Sequence, residues 1–210
     1  MGETMKVRIT LLEEMLGTLP GDKEVYASYI ATKAPNPSAI MNEEIEAIDF
    51  ADEYEKGITV FPRNKDGEVC IYDYLVKGFF KNACAALRDA DGTHSKDLKA
   101  YKKKIDNLVF VGPRFIKVNY EGSIGLCERP LRASTAQGER VALACSESVP
   151  AESVLEFEVT VLAKGMLKYV IEWLDYGKFN GLGCWHNSGK GKFTWEDITD
   201  EETAAQLEEK

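Results

Sequence analysis

Alternation of apolar and polar residues predicts strands near both ends of the chain. Residues 6–12, 139–147 and 153–162 each place apolar side chains at every second position, which is the period of a half-buried strand. In the first of these runs Val7, Ile9 and Leu11 share one face. The sequence therefore predicts a sheet built from segments that are far apart along the chain.

Two segments carry the apolar spacing of a helix instead. The first follows Asp73, a candidate N-cap, and its apolar stripe comprises Val76, Phe80, Ala83, Cys84 and Leu87. The second has the stripe Leu167, Val170, Ile171 and Leu174 and is ended by Gly177 and Gly181. Weaker patterns predict helices over 23–33 and 95–106. These helices would pack on the sheet.

The connections between these elements are also readable. An Asp-Gly turn at 66–67 lies between apolar runs at 58–64 and 68–74, which predicts a β-hairpin. Two short apolar runs, LVFV and RFIKV, predict strands on either side of Gly112-Pro113. Residues 122–138 are polar and rich in glycine, so they predict a long loop.

The order strand, helix, hairpin, helix, strands, helix, strand predicts an α+β fold. We expect a ferredoxin-like (RRM-like) antiparallel sheet with helices on one face. A length of 210 residues fits one domain. We therefore predict a single domain over residues 1–195, with insertions near 36–56 and 119–138, followed by an acidic tail at 196–210.

Composition narrows the class of protein. Five cysteines, an odd number that includes no C-x-x-C pair, predict free thiols rather than disulfides or structural zinc. We expect no metal and no cofactor. The absence of a long apolar run or a secretory leader predicts a soluble, cytoplasmic protein that does not bind membranes.

Charge is unevenly distributed. The net charge of -9 disfavours nucleic-acid binding at first sight, because neutralising phosphates requires Lys and Arg. The segment from Lys96 to Arg140, however, holds ten basic and five acidic residues. The sequence thus places one basic segment in an acidic protein.

The most informative motif is GLGCWHNSGKGKF, from Gly181 to Phe193. Its four glycines form two G-x-G pairs, which predicts a loop that must approach another backbone closely. The spacing does not fit a Walker loop, and His186 stands where the dinucleotide motif requires its third glycine. The common nucleotide-binding folds are therefore disfavoured.

This loop resembles the C-terminal glycine-rich loop of the RAMP superfamily, the ferredoxin-like RNA-binding proteins of CRISPR systems. Residues 72–90 are similar to the helical segment that follows the first strands in the repeating backbone subunits of effector complexes. Residues 140–162 are similar to their paired strands, which are joined here by the turn at Val149-Pro150-Ala151. The resemblance covers roughly half of the chain and implies RNA binding, self-association and a place in a CRISPR-type complex.

Charge, aromatic rings and close-approach glycines together predict a site for single-stranded RNA or DNA. The candidate residues are Gly181, Gly183, Trp185, Gly189, Lys190, Gly191, Lys192, Arg129, Arg132, Arg140 and Lys103. Arg114 and Lys117 are further candidate cations. Candidate stacking residues are Tyr101, Tyr120, Trp185 and Phe193. For each residue taken alone, a solvated charge or a core aromatic is the competing interpretation.

Catalysis has weaker candidates. RAMP-type nucleases often use a histidine on the ribose 2′-OH, and the chain has only His94 and His186. Metal-dependent relatives carry an aspartate after the first strand, where Asp22 lies in a Pro-Gly turn. Neither histidine is where the family places its base, so the sequence favours binding over catalysis.

Three hypotheses follow. The leading one is a non-catalytic, RAMP-like protein that binds RNA or another single-stranded nucleic acid. The second is an interaction protein of phage or mobile-element origin that contacts a host antiviral defence complex, a hypothesis motivated by the acidic balance. The third is a RAMP-type endoribonuclease.

Overall fold

The computed structural model describes residues 2–21, 58–135 and 138–199, with the backbone alone between 130 and 143. The strands are β1 (Glu3–Leu11), β2 (Met15–Leu16), β3 (Leu19–Pro20), β4 (Ile58–Val60), β5 (Cys70–Tyr72), β6 (Val109–Gly112), β7 (Phe115–Asn119), β8 (Gly125–Thr135), β9 (Gly138–Val149), β10 (Val154–Val161) and β11 (Phe193–Asp197). The helices are α1 (Asp73–Leu87), α2 (Tyr101–Leu108) and α3 (Leu167–Asp175). Short 3-10 turns cover Ser95–Asp97, Tyr176–Lys178 and His186–Ser188.

The main sheet has the ferredoxin-like arrangement. Its strand order is β11-β1-β10-β7-β5, with β6 also paired to β10, and its pairs are antiparallel. In the chain, α1 lies between β1 and β6, and α3 lies between β10 and β11. This is the split β-α-β pattern of that class. The predicted α+β, ferredoxin-like class is confirmed.

The core forms where the predicted apolar faces meet. Alternate residues of β1 and β10 are buried, as their period required. On α1 the buried residues are Val76, Phe79, Phe80, Ala83 and Cys84, close to the predicted stripe. On α3 they are Val170, Trp173 and Leu174, whereas Ile171 is exposed. The buried face of α3 is therefore rotated by part of a turn from the predicted stripe.

A second sheet lies beside the first. Its order is β2-β9-β4-β3, with β8 paired to β9. Glu147 of β9 is almost fully buried; it accepts the Phe61 N–H at 2.8 Å and pairs with Arg63 at 2.8 Å. This contact fixes the segment after β4 to β9.

The predicted long loop over 122–138 is wrong. Residues from Gly125 to Thr135 form strand β8, which pairs with β9 in continuous register from Gly125↔Ser148 to Thr135↔Gly138. Polar and glycine-rich composition suggested a loop, but ladder hydrogen bonds to a neighbouring strand can hold such a sequence extended. The basic residues of this segment are therefore carried on a β-hairpin.

Three smaller predictions also change. The turn at Asp66-Gly67 is present, but its flanking strands meet only at the Arg63↔Val69 bridge; β4 joins β9 and β3, while β5 joins β7. Asp73 is the first residue of α1, and its N-cap is Tyr72. Glu196 and Asp197, which we assigned to the tail, belong to β11, and Ile198 is buried. The predicted helix at 23–33, the insertion at 36–56 and the tail from 200 onward lie outside the described residues.

Candidate nucleic-acid interface

The neck of the glycine-rich loop is formed by two glycines in contact. A Cβ on Gly181 would lie 2.1 Å from the carbonyl carbon of Gly191, and a Cβ on Gly191 would lie 1.9 Å from the carbonyl oxygen of Leu182. The Leu182 N–H donates to the Gly191 carbonyl at 3.0 Å. These two glycines therefore allow the loop to approach its own backbone.

The same loop docks onto Glu14 and the adjoining strand β2. A Cβ on Gly183 would lie 2.6 Å from the Leu16 carbonyl oxygen. The Cys184 N–H donates to that oxygen at 3.3 Å, and the Gly191 N–H donates to the Glu14 carbonyl at 2.8 Å. Three of the four loop glycines thus serve close contacts within the fold, and the loop sits where the two sheets meet.

The outer end of the loop is built differently. Gly189 has a φ of 93°, and the nearest atom to a Cβ there would be the Lys192 Cε at 3.6 Å. Trp185 has a φ of 61° and a ψ of 23°, in the left-handed region. For a residue other than glycine this conformation costs about 1–2 kcal/mol. The chain thus holds a bulky aromatic residue where glycine or asparagine is normally found.

Trp185 contacts Arg129 of β8. The guanidinium carbon lies 4.0 Å from the centroid of the indole ring, well within cation–π range. Arg129 is only 8% exposed, and its Nη1 donates to the Ser146 hydroxyl at 3.2 Å. Within the described residues Nε has no hydrogen-bond partner, and no carboxylate pairs with this charge. A buried cation without an acidic partner is costly, so its retention needs an explanation.

The two loop lysines have different surroundings. The Lys190 ammonium forms an ion pair with Glu14, and this bond raises the pKa of Lys190 above its usual range. The Lys192 side chain lies near Gly189 and makes no ion pair with the part of the chain that the structure describes. Lys190 therefore holds the loop to the β1–β2 segment, while the charge of Lys192 is available. We call Arg129, Trp185, Gly189 and Lys192 the loop-tip surface.

The Cys184 thiol lies near the positive charge of Arg129. Desolvation raises the pKa of the Cys184 thiol, and the positive charge of Arg129 opposes that rise. The sequence predicts Arg129 and Trp185 as candidate residues but does not reveal their contact, because they are distant along the chain.

The other predicted cations are scattered over the fold. Lys103 is exposed on α2, which packs against α1 and β6. Arg132 and Arg140 lie near the closed end of the β8–β9 hairpin, where Arg132 is opposite Val141 and Arg140 is opposite Ala133. Arg114 pairs with Asp73, and Lys117 pairs with Glu68. The structure thus brings Arg129, Trp185 and the glycine loop together but does not gather every predicted residue.

The helix-free face of the main sheet is covered by charged pairs. Lys6 lies 3.5 Å from Glu158, and Arg8 lies 2.6 Å from Glu156 and 3.0 Å from Glu196. RRM domains stack bases on aromatic residues of their sheet. Here the central positions of that face on β1 and β10 carry charged pairs rather than aromatic rings, and the exposed Phe110 lies beside them on β6, opposite Thr160.

The candidate catalytic residues are separated. The backbone N–H groups of His94 and Ser95 both donate to Glu172 of α3, and the His94 ring meets Tyr169 edge-on. The His186 Nδ1 lies 3.0 Å from the Gly183 carbonyl oxygen. Asp22 lies outside the described residues. Among the residues that are described, no cluster of His, Cys, Asp and Glu has the grouping of a metal site.

Comparison with known proteins gives one informative result. No family model and no curated protein matches the chain. Among solved structures 122 chains match. One is from the cryo-EM structure of the Type III-B Cmr-beta bound to cognate target RNA; it is 10% identical with a TM-score of 0.50, and the match covers 92% of our chain and 58% of that one. At this identity the likeness shows a common fold. No helix in the described segments is long and apolar enough to span a membrane.

Proposed function

We propose that this protein binds single-stranded RNA, without cutting it, at the loop-tip surface. The observation that carries the proposal is the buried Arg129, which has no acidic partner among the described residues and lies against a partly exposed tryptophan. A nucleic-acid phosphate bound beside this tryptophan would bring negative charge close to the Arg129 guanidinium beneath it. Single-strand-binding proteins commonly combine positive charge with aromatic rings in this way.

Two further observations support this proposal. Lys192 adds a cation without an ion pair in the described structure at the rim of the same surface. The fold is shared with a chain of an assembly that was solved bound to its target RNA. Together with the RAMP-like motifs of the sequence, these observations favour a distant relative of the RNA-coating subunits of CRISPR effector complexes. Self-association along RNA and a cytoplasmic location are part of this proposal.

Fluorescence anisotropy with a labelled single-stranded RNA at low salt tests the proposal. We expect saturable binding that weakens as salt is raised, because phosphate contacts release counterions. Duplex DNA of equal length serves as the competitor, and we expect it to displace the RNA poorly. Absence of binding by the wild-type protein at low salt would overturn the proposal.

A second candidate is a protein-interaction module that contacts a host defence complex. The acidic net charge and the carboxylates on the open sheet face favour it. A cleft of about 480 Å³ adjoins this face and is lined in part by Lys6, Glu156 and Glu158. The test is recovery of a CRISPR-type effector complex on the immobilised protein after nuclease treatment. If the wild-type protein retains the complex after nuclease treatment and the Glu156→Lys variant does not, the result supports this candidate. Loss of the complex from the wild-type protein on nuclease treatment contradicts it.

A further inference from the structure

We infer that one unstacked base of the bound strand stacks on the indole ring of Trp185, and that Arg129 is the positioning residue that holds this ring in place. The inference rests on the proposed function and specifies how the loop-tip surface engages a nucleotide. It depends on three observations: the burial of the competing aromatic residues, the backbone conformation of Trp185, and the contact beneath its ring.

The structure separates the four candidate stacking residues. Phe193 is buried, with its ring 5.2 Å from that of Phe79, so it belongs to the core. Tyr101 and Tyr120 pack against the core cluster from its margin. Trp185 lies outside that cluster and is only partly buried. Among these four, Trp185 is therefore the ring that packing of the core does not explain.

The backbone at Trp185 argues against a purely structural role. Its φ of 61° would be relaxed by glycine, and the loop already uses glycine at Gly183, Gly189 and Gly191, each with positive φ. A loop selected for the fold alone would be expected to carry glycine or asparagine here. Strain of this kind is retained where the side chain itself has a task.

The contact beneath the ring supplies the support that stacking needs. Arg129 covers one face of the indole at 4.0 Å, and its guanidinium is fixed by burial and by the Ser146 hydroxyl. The partial exposure of Trp185 leaves ring area for a base. Aromatic rings accept any base because every base has a π face. We therefore expect tolerance of sequence, with the nearby Lys192 contacting the phosphate.

Two variants of one residue test the inference. Trp185→Gly relieves the backbone strain and removes the ring, whereas Trp185→Phe keeps a smaller aromatic face. We expect Trp185→Gly to fold with unchanged or higher resistance to urea while its affinity for a 12-nucleotide single-stranded RNA falls by roughly tenfold. Trp185→Phe should lose no more than about threefold. Equal RNA affinities of wild type and Trp185→Gly would overturn the inference.

Fluorescence provides a readout that does not depend on the glycine variant. We expect RNA to quench part of the tryptophan emission of the wild-type protein and to leave the emission of Trp185→Phe unchanged, since Trp173 is buried and Trp195 donates to Asp175. Arg129→Lys keeps the charge but removes the guanidinium that lies over the indole ring, so RNA should also fail to quench the emission of this variant. Quenching that persists in Trp185→Phe contradicts the inference alone. A wild-type protein that binds no RNA overturns the proposed function, and this inference with it.

Discussion

A Cβ on Gly191 would lie 1.9 Å from the carbonyl oxygen of Leu182, which is too close for any side chain. Gly191 also has a φ of 65°, and its N–H donates to the Glu14 carbonyl. The glycine pattern that resembles an RNA-binding loop is thus explained at this position by the chain's own backbone. The proposed contact with RNA therefore rests on the loop-tip surface and not on Gly191.

Gly191→Ala should destabilise the protein strongly. The added methyl group meets the backbone of Leu182 and enforces a strained φ, so we expect a loss of about 3 kcal/mol or more in the free energy of unfolding. The control is Gly78→Ala on α1, where a Cβ would have no neighbour within 4 Å. Alanine is favoured in a helix, so this variant should gain about 0.5–1 kcal/mol. Urea unfolding measures both, and similar midpoints for the two variants would contradict the account of the loop neck.

The ion pair between Arg63 and Glu147 joins the segment after β4 to β9. Glu147 is 1% exposed, so Glu147→Gln leaves a poorly solvated guanidinium without its counter-charge. We expect a loss of about 3 kcal/mol in the free energy of unfolding. Lys96→Ala, which removes the exposed pair with Asp91, should change it by no more than about 0.5 kcal/mol. Equal changes in unfolding free energy for the two variants would show that the pair of Glu147 with Arg63 does not stabilise the fold.

Lys190 and Lys192 are two residues apart but differ in their partners. Because Lys190 is bound to Glu14, replacing Lys190 should affect the stability of the loop more than the affinity for RNA. We expect Lys192→Gln to weaken RNA binding roughly fivefold, equivalent to about 1 kcal/mol, and to reduce the slope of log affinity against log salt by about 1. Lys190→Gln should leave that slope nearly unchanged. Salt titrations by anisotropy measure both slopes. A larger change of slope for Lys190→Gln than for Lys192→Gln would show that Lys190, not Lys192, contacts the phosphate.

Cys70 makes stability depend on alkaline pH. Burial raises the pKa of its thiol from 9.0 to about 11. Above pH 9 the unfolded chain loses this proton while the folded protein keeps it, so the contribution of Cys70 to stability is full well below pH 9 and is lost as pH rises toward 11. We expect Cys70 to contribute a fall of roughly 2 kcal/mol over that window. The difference in unfolding free energy between wild type and Cys70→Ala, measured from pH 8 to 11, isolates the contribution; parallel curves would contradict it.

Much of the fold was predictable because periodicity reports burial directly. The alternation in β1 and β10 and the stripe of α1 all led to the observed elements. Strand β8 was missed because its pairing with β9, rather than its own composition, determines its structure. The pairing of β4 and β5 with different sheets was missed for the same reason.

The candidate site was predictable in its residue types and not in its contacts. Arg129 and Trp185 were both candidates, yet nothing in the sequence places them 4.0 Å apart. Likewise, Lys190 was a candidate phosphate ligand until the structure paired it with Glu14. Separation along the chain hides such partners, and only the assembled fold distinguishes an occupied cation from an available one.

Photo-cross-linking can map where RNA contacts the protein. The wild-type protein is irradiated with a photoreactive single-stranded RNA, and the cross-linked peptides are identified by mass spectrometry. We expect cross-links at Trp185 and its neighbours up to Lys192, and we expect them to be lost when unlabelled RNA is in excess. Specific cross-links confined to the charged sheet face of Lys6, Arg8 and Glu158, or none above background, would contradict it.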